Sequence, residues 1–331
     1  MARLCVPILL PILLMLSACG AAQPAAPQAS KPAPSQPPEL AEVKMGVTET
    51  ATGMPLYLGL DEGIFQKHGI KLTLVSTSAP VAVAGLSSGD IQVSTFGGTI
   101  IDADPDGAKL AFVGALLTEF AQFAVYGKSA YKSVKDLTGT TIAGSSPSAS
   151  ATLAARAMFK RNGMDPDKDV KWIFAQTTQA QLAALVTGQV DASVVSWPTY
   201  LEAQKAGFVK LGDAKDLHIP AASSSLSVAR SWVRDNPNVV RRYLEAMIEA
   251  ISIVNGDKAK AEASLGSHLK VSDQTALDDG YARYTPFPNP PYMTAEAVQE
   301  AIDDTATAAV KTHKPADYID NGPLDAIVKN R

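Results

Sequence analysis

Residues Val43–Val75 read VKMGVTETATGMPLYLGLDEGIFQKHGIKLTLV. A short β-like run, Val43–Val47, leads through a polar turn to Pro55, a residue favoured in the first turn of a helix. The apolar residues that follow recur at the spacing of one helix face: Leu56, Leu60, Ile64 and Phe65. After Gly69, polar and apolar residues alternate as in a strand. This β-α-β unit of about 30 residues predicts a parallel sheet.

A similar pattern returns 99 residues further along the chain. The segment LSSGDIQVS at 86–94 matches LVTGQVDAS at 185–193, and each predicts a helix end, a glycine cap and a strand, 91–96 and 190–195. Other predicted strands are 140–143 and 170–174, with a helix at 151–162. From about Leu226 the sequence predicts only helices, at 237–255, 259–269 and 294–312.

These patterns predict an α/β protein with two lobes of related design, a hinge and a cleft between them. We expect a signal peptide at 1–18 and a Pro/Ala-rich linker at 19–40. Lobe I then comprises 41–127 plus 226–331, and lobe II comprises 128–225. The chain would cross between the lobes twice, near Lys128 and near Ser223.

The N-terminus predicts a lipid anchor. Val6–Leu16 is an apolar run too short to span a bilayer, and it ends in Leu16-Ser-Ala-Cys19, which has the form of a bacterial lipobox. We expect the mature protein to begin at Cys19, to carry lipid there and to work outside the cytoplasm. The alternative is an ordinary secretory signal with a chance cysteine.

Composition excludes several classes of protein. The formal charge is −4 over 331 residues, which argues against a nucleic-acid partner. Cys5 and Cys19 are the two cysteines of the chain, so the folded part has no thiol for a disulfide, a metal site or a nucleophile. The four histidines have no metal-ligand spacing. We expect a monomer without a cofactor or metal.

Five segments carry a family resemblance. They are PLYLGLDEGIFQKHGI at 55–70, SVKDLTGTTIA at 133–143, NGMDPDKDV at 162–170, AALVTGQVDA at 183–192 and Trp197-Pro198. In this order and spacing the chain resembles the sulfonate, nitrate and thiamine-precursor substrate-binding proteins of ABC importers. The resemblance implies a two-lobed, type II periplasmic-binding-protein-like fold that closes on a small solute and presents it to a permease.

Ligands of open α/β sheets lie beyond the carboxyl ends of the strands. The loops predicted there supply the candidate ligand-binding residues: Glu49, Thr50, Met54, Tyr57, Thr77, Phe96, Gly97, Ser145, Ser146, Ser148, Ser150, Thr177, Gln179 and Trp197. Serine hydroxyls and free N–H groups can hold a polar ligand, and an indole ring can stack on one.

Each candidate also has a structural alternative. A serine can cap a helix, Trp197 and Tyr57 can pack, and the glycine of Phe96-Gly97 can serve a turn. None of the candidate loops contains Lys or Arg, while Glu119 and Arg230 lie near the predicted crossings. The ligand class therefore stays open between small oxyanions, such as sulfonates, and heterocycles, such as a pyrimidine.

Three functions are compatible with this fold. The first is an extracytoplasmic substrate-binding lipoprotein of an ABC importer, partnered by the permease subunits and by the membrane through Cys19. The second is a ligand-sensing adaptor. The third, an enzyme of cofactor or sulfur metabolism, is disfavoured because the folded part contains no cysteine nucleophile and no phosphate loop. We expect no enzymatic activity.

Overall fold

The structure is a computed structural model that describes residues 41–147, 149–305 and 307–330. The predictions for residues 1–40, including Cys19, and for Ser148 lie outside these residues. The described strands are β1 (Ala41–Val47), β2 (Ile70–Ser76), β3 (Val93–Phe96), β4 (Leu110–Glu119), β5 (Phe123–Gly127), β6 (Thr141–Gly144), β7 (Lys171–Phe174), β8 (Ala192–Ser196), β9 (Val209–Asp213) and β10 (Pro220–Ala229).

The described helices account for most of the remaining chain. They are α1 (Met54–Asp61), α2 (Ile64–Lys67), α3 (Ala79–Ser88), α4 (Gly98–Ala103), α5 (Ser150–Arg161), α6 (Thr178–Val186), α7 (Thr199–Lys205), α8 (Arg230–Asp235), α9 (Pro237–Gly256), α10 (Lys258–Leu269), α11 (Gln274–Tyr284), α12 (Ala295–Asp304), α13 (Pro315–Tyr318) and α14 (Gly322–Lys329).

The strands form two mixed sheets. The first has the order β2-β1-β3-β10-β4 and the second β7-β6-β8-β5-β9. In the first sheet β1 is parallel to β2 and β3, whereas β10 is antiparallel to β3 and β4. In the second, β6 is parallel to β7 and β8, and β5 is antiparallel to β8 and β9. The predicted α/β class and the parallel pairing of the β-α-β units are confirmed.

The chain passes between the sheets twice. The first passage is residues 120–122, between β4 and β5, and the second is residues 214–219, between β9 and β10. The sequence predicted these passages near Lys128 and Ser223, a few residues after their positions in the structure. The reason is that β5 and the start of β10 were not recognised as strands. The division of the chain into two lobes at 127/128 and 225/226 stays a prediction.

Local sequence explains the element ends. Pro55 lies in the first turn of α1. Gly63, with a φ angle of 65°, separates α1 from α2, and Gly69, with a φ angle of 71°, separates α2 from β2. The helix predicted at 294–312 is shorter than expected. It ends at Asp304, because Thr305 is extended and donates its hydroxyl to Asp102.

Helices cover both faces of each sheet. On one face of the first sheet α1, α9 and α10 form a buried cluster around Met45, Tyr243 and Met247, and this cluster continues to Trp197 and Tyr200 beside the second sheet. On the opposite face of the first sheet α3, α4 and α12 pack around a smaller cluster. Helix α5 covers the second sheet with Ala155, Met158 and Phe159.

Candidate functional site

Sheet topology places the predicted loops at matching edges. Glu49, Thr77 and Phe96 lie at or just beyond the carboxyl ends of β1, β2 and β3, which run parallel in the first sheet. The loops at 145–150, 177–179 and 197 follow β6, β7 and β8, which run parallel in the second. Each set of three loops therefore shares one edge of its sheet.

A pocket lies between elements of the two sheets. Gly98 at the start of α4 and Ser150 at the start of α5 both line it, and Phe120 of the first passage borders it. Its lining residues are Gly98, Phe120, Ser150, Leu153, Ala221, Ala222, Glu300, Ala301 and Asp304. The pocket spans about 260 Å³, including the open solvent at its mouth, but has room for only about one water molecule. A larger solute therefore requires the two sides to separate.

The polar lining of this pocket is acidic. Glu300 and Asp304 project from α12, one helical turn apart, and none of the described residues that line the pocket is Lys or Arg. Lys160 of α5 pairs with Asp304 at 2.8 Å across the gap. Burial, and less strongly the charge of Asp304, raise the pKa of Glu300. The pocket thus offers a carboxylate acceptor to a ligand.

Hydrogen bonds within the protein engage the candidate residues Thr50 and Tyr57, which follow β1. The Thr50 and Thr52 hydroxyls lie 2.8 Å apart, and the Tyr57 hydroxyl donates to the Thr50 carbonyl at 3.2 Å. Tyr57 is 2% exposed and its ring stacks on His268, with 4.6 Å between ring centroids. Met54 is fully buried and Glu49 is exposed. In this structure Tyr57 and Met54 have the environment of packing residues.

Gly97 permits a backbone contact within the protein. A Cβ built at this position would lie 1.7 Å from the Ala222 carbonyl oxygen, so β3 and β10 can meet only because residue 97 is glycine. Phe96 is half-buried and its carbonyl accepts from Ser227 at 3.2 Å. Thr77, after β2, is half-buried.

The serine loop after β6 is partly bonded. The Ser145 N–H donates to Thr152 Oγ1 at 3.1 Å, and the Ser145 hydroxyl accepts from Gln181 Nε2 at 2.8 Å. Ser146 is half-buried. Among the candidates that the structure describes, Ser150 alone lines the pocket.

The two candidates after β7 point to solvent. The Thr177 hydroxyl accepts from the Ala180 N–H and caps α6, and Gln179 is exposed.

Trp197 is buried rather than displayed. Its side chain has no exposed surface, its indole N–H donates to the Ala276 carbonyl at 3.2 Å, and a Cβ at Gly280 would lie 2.8 Å from its ring. The indole therefore fits against α11.

Two charged residues that the sequence placed near the crossings are engaged elsewhere. Arg230 donates to the carbonyl oxygens of Gly107 and Asp317, and Glu119 pairs with His218 at 3.1 Å on the surface. In this structure the two carbonyls hold the Arg230 guanidinium beside α13, away from the lining of the pocket.

The sequence reading missed the acidic wall of the pocket. Glu300 and Asp304 lie at i and i+4 of a helix that was predicted, and this spacing puts two carboxylates on one face. The i, i+4 spacing could have indicated a pair of neighbouring carboxylates, but it did not indicate that this face of α12 lies opposite α5.

The described residues contain neither a cluster of metal-ligating side chains nor a helix that could span a membrane. Across 41–147, 149–305 and 307–330, no three His, Cys, Asp or Glu side chains are grouped to hold a metal ion. Among the described helices, none combines the length and apolar character needed to cross a membrane.

A family model and a curated relative match most of the chain. The family model described as NMT1/THI5 like matches residues 51–260. The riboflavin-binding protein RibY of Chloroflexus aurantiacus is 25% identical over 266 residues, covering 75% of this chain and 74% of the relative.

Solved structures share the fold at low identity. The alkanesulfonate-binding protein SsuA from Xanthomonas axonopodis pv. citri, bound to MOPS, superposes with a TM-score of 0.66 at 20% identity, covering 80% of this chain and 91% of the other. The periplasmic nitrate-binding protein NrtA from Synechocystis PCC 6803 gives 0.69 at 15% identity, with coverage of 89% and 90%. The predicted periplasmic-binding-protein fold is confirmed.

Proposed function

The chain belongs to the NMT1/THI5-like family, and from this premise we propose that it is the solute-binding component of an ABC importer. It captures a small organic solute between its two sheets and delivers it to the permease subunits. The observation that carries this proposal is the pocket lined by β10, α4 and α12 of the first sheet, by α5 of the second sheet and by Phe120 of the first passage. Contacts from both sides favour the closed form when solute is bound, which shifts the open–closed equilibrium.

The lining of the pocket favours a heterocycle with N–H donors. Glu300 can accept such a donor and its negative charge disfavours an oxyanion, whereas the charge of Asp304 is offset by Lys160. A relative whose name specifies riboflavin binding supports the same class. We therefore propose that the solute is a neutral or weakly basic heterocycle, such as a pyrimidine or a flavin.

A small oxyanion is the second candidate. Ser150, the first residue of the twelve-residue helix α5, lines the same pocket, and a helix N-terminus attracts negative charge. Structural neighbours named for alkanesulfonate and nitrate binding support this class. The two candidates predict opposite preferences in one screen.

Anchoring by lipid at Cys19 is part of the proposal. The lipobox-like segment before Cys19 and the linker after it would hold a monomeric binding protein at the outer face of the cytoplasmic membrane or at the cell surface. We expect Cys19→Ser to move the protein from the membrane fraction to the soluble extracytoplasmic fraction. Continued membrane retention would contradict the anchor.

A ligand screen tests the solute class. Melting temperatures of the Cys19→Ser protein would be measured with riboflavin, a thiamine-precursor pyrimidine, taurine and nitrate, because a tight ligand raises Tm by mass action. We expect a heterocycle to raise Tm. A rise with taurine or nitrate alone would replace the heterocycle by an oxyanion, and no rise with any solute would count against solute capture.

Substitution of Glu300 tests the site. Glu300→Gln removes the charged acceptor, so calorimetric titration with the heterocycle should show at least about tenfold weaker binding. Glu296→Gln is the matched control, since Glu296 lies on the exposed side of α12 and should leave affinity unchanged. Equal affinities for both variants would remove Glu300 from the site.

A further inference from the structure

An ion pair joins two walls of the pocket. Lys160 lies in the last turn of α5, and its Nζ is 2.8 Å from Oδ1 of Asp304, the last residue of α12. Asp304 lines the pocket and its side chain is 12% exposed, against 53% for Lys160. Within the part of the chain that the structure describes, this ion pair is the one polar bond between α5 and α12.

Helix α5 is held on the side of the second sheet. Met158 and Phe159 are buried in the same cluster as Val194 of β8. Arg156 donates to both carboxylate oxygens of Asp167 at 2.7 Å, in the segment between α5 and β7. The last turn of α5, which carries the lysine, is therefore fixed to the second sheet.

Helix α12 is held on the side of the first sheet. Val298 and Ile302 are buried in one cluster with Phe112 of β4. Directly after α12, the Thr305 hydroxyl donates to Asp102 of α4, a helix that packs in the same cluster. Because α5 and α12 are fixed to different sheets, a separation that widens the pocket between them must break the ion pair.

The facing ends of the two helices carry opposite charges. Burial, followed by the charge of Asp304, raises the pKa of Glu300, and the positive charges of Arg161 and Lys160 partly oppose this rise. The basic end of α5 therefore acts on both carboxylates that line the pocket. A partly exposed ion pair shifts an equilibrium by about twofold to fivefold, and salt weakens it.

We propose that Lys160 and Asp304 form an electrostatic latch that favours the arrangement in which α5 lies against α12. In solute-free protein the latch holds part of the population in this arrangement. When the two sides separate, the latch opens and leaves Asp304 as a second unpaired carboxylate beside Glu300. The latch rests on the proposed function in one respect, the separation and closure of the two sides, and it does not depend on the identity of the solute.

The distance between the two sides in solute-free protein tests the latch. Exposed positions on α3 and α6 can carry spin labels, at Ser87→Cys and Val186→Cys in the protein with Cys5→Ser and Cys19→Ser. Pulsed electron paramagnetic resonance then gives the distance distribution. At an ionic strength of about 0.01 M we expect a component that about 1 M salt depletes, because the Debye length falls from about 30 Å to about 3 Å. Since no solute is present, a failure of solute capture would leave this result unaffected.

Substitution of the lysine should mimic high salt. Lys160→Met should deplete the same component about twofold to fivefold at low ionic strength and remove its salt dependence. The charge reversal Lys160→Asp with Asp304→Lys restores an attractive pair, so it should return the component, whereas Asp304→Lys alone should not. A role of these side chains in packing alone would not produce this rescue. Circular dichroism and melting temperature show whether each variant is folded.

Arg156→Met is the matched control. Arg156 lies one turn before Lys160 on α5, and its partner Asp167 belongs to the same side, so its loss should leave the distance distribution unchanged. A wild-type distribution in folded Lys160→Met at both ionic strengths would overturn the proposal. An equal depletion in Arg156→Met would also overturn it, because that result would indicate general loosening of α5, and so would a charge reversal that restores nothing.

Discussion

At position 97 the absence of a side chain allows two backbone segments to meet. The sequence suggested that Gly97 gives a ligand close access to the backbone, and the structure instead places the Ala222 carbonyl there. Gly97→Ala should lower the free energy of unfolding by about 1–3 kcal/mol, because β3 or β10 must shift to admit the methyl group.

The neighbouring glycine provides the control. A Cβ at Gly98 would meet no atom within 4 Å, so Gly98→Ala should change the unfolding free energy by less than about 0.5 kcal/mol. Urea unfolding of both variants gives the comparison. Equal losses of unfolding free energy in both variants would show that the contact with the Ala222 carbonyl does not restrict which side chain position 97 can hold.

Glu300 should make stability depend on pH. Burial, followed by the charge of Asp304, raises its pKa in the folded protein above the unfolded value of about 4.3. Between these two values the folded state binds more protons than the unfolded state, so stability falls as pH rises. Glu300→Gln should therefore match the wild type near pH 4 and become the more stable protein as pH increases. Parallel stability curves from pH 4 to 8 would contradict this assignment.

At the level of elements, the packing of α1 on α10 rests partly on Tyr57. Its ring stacks on His268 and its hydroxyl bonds the Thr50 carbonyl. Tyr57→Phe keeps the stack and loses one hydrogen bond, so we expect a loss of about 0.5–1.5 kcal/mol in urea unfolding. Heterocycle affinity should stay the same, since the side chain is buried. A large loss of affinity with unchanged stability would instead make Tyr57 a ligand contact.

Elements with a clear period were predictable and those without one were not. The β-α-β units, α5 and α9 follow from apolar spacing within single segments. Strand β10 was not predicted, because its centre is Ser223-Ser-Ser-Leu226-Ser and a buried strand is ordinarily apolar. The structure explains this exception in part, since the Ser225 and Ser227 hydroxyls bond one another at 2.6 Å. Helix α11 was missed because charged residues interrupt its buried face.

Over the whole molecule, the loops at the carboxyl ends of the strands were predictable, but the residues that line the pocket were not. Loops at the carboxyl ends of parallel strands follow from topology, and the sequence located them. The pocket itself combines Gly98, Phe120, Ser150, Ala222 and Glu300. These residues come from five separate segments, and no local pattern records which segments meet. The other candidates that the structure describes do not line this pocket, and their contact with a solute stays a prediction.

Closure of two lobes on a solute can be measured as a distance. Ser87 on α3 and Val186 on α6 are exposed and belong to opposite sheets, and the folded part has no other cysteine to react with a label. Spin labels at Ser87→Cys and Val186→Cys in the protein with Cys5→Ser and Cys19→Ser would report the interlobe distance by pulsed electron paramagnetic resonance. Saturation with the heterocycle that binds should narrow and shift the distance distribution. An identical distribution with and without saturating solute would contradict capture by closure.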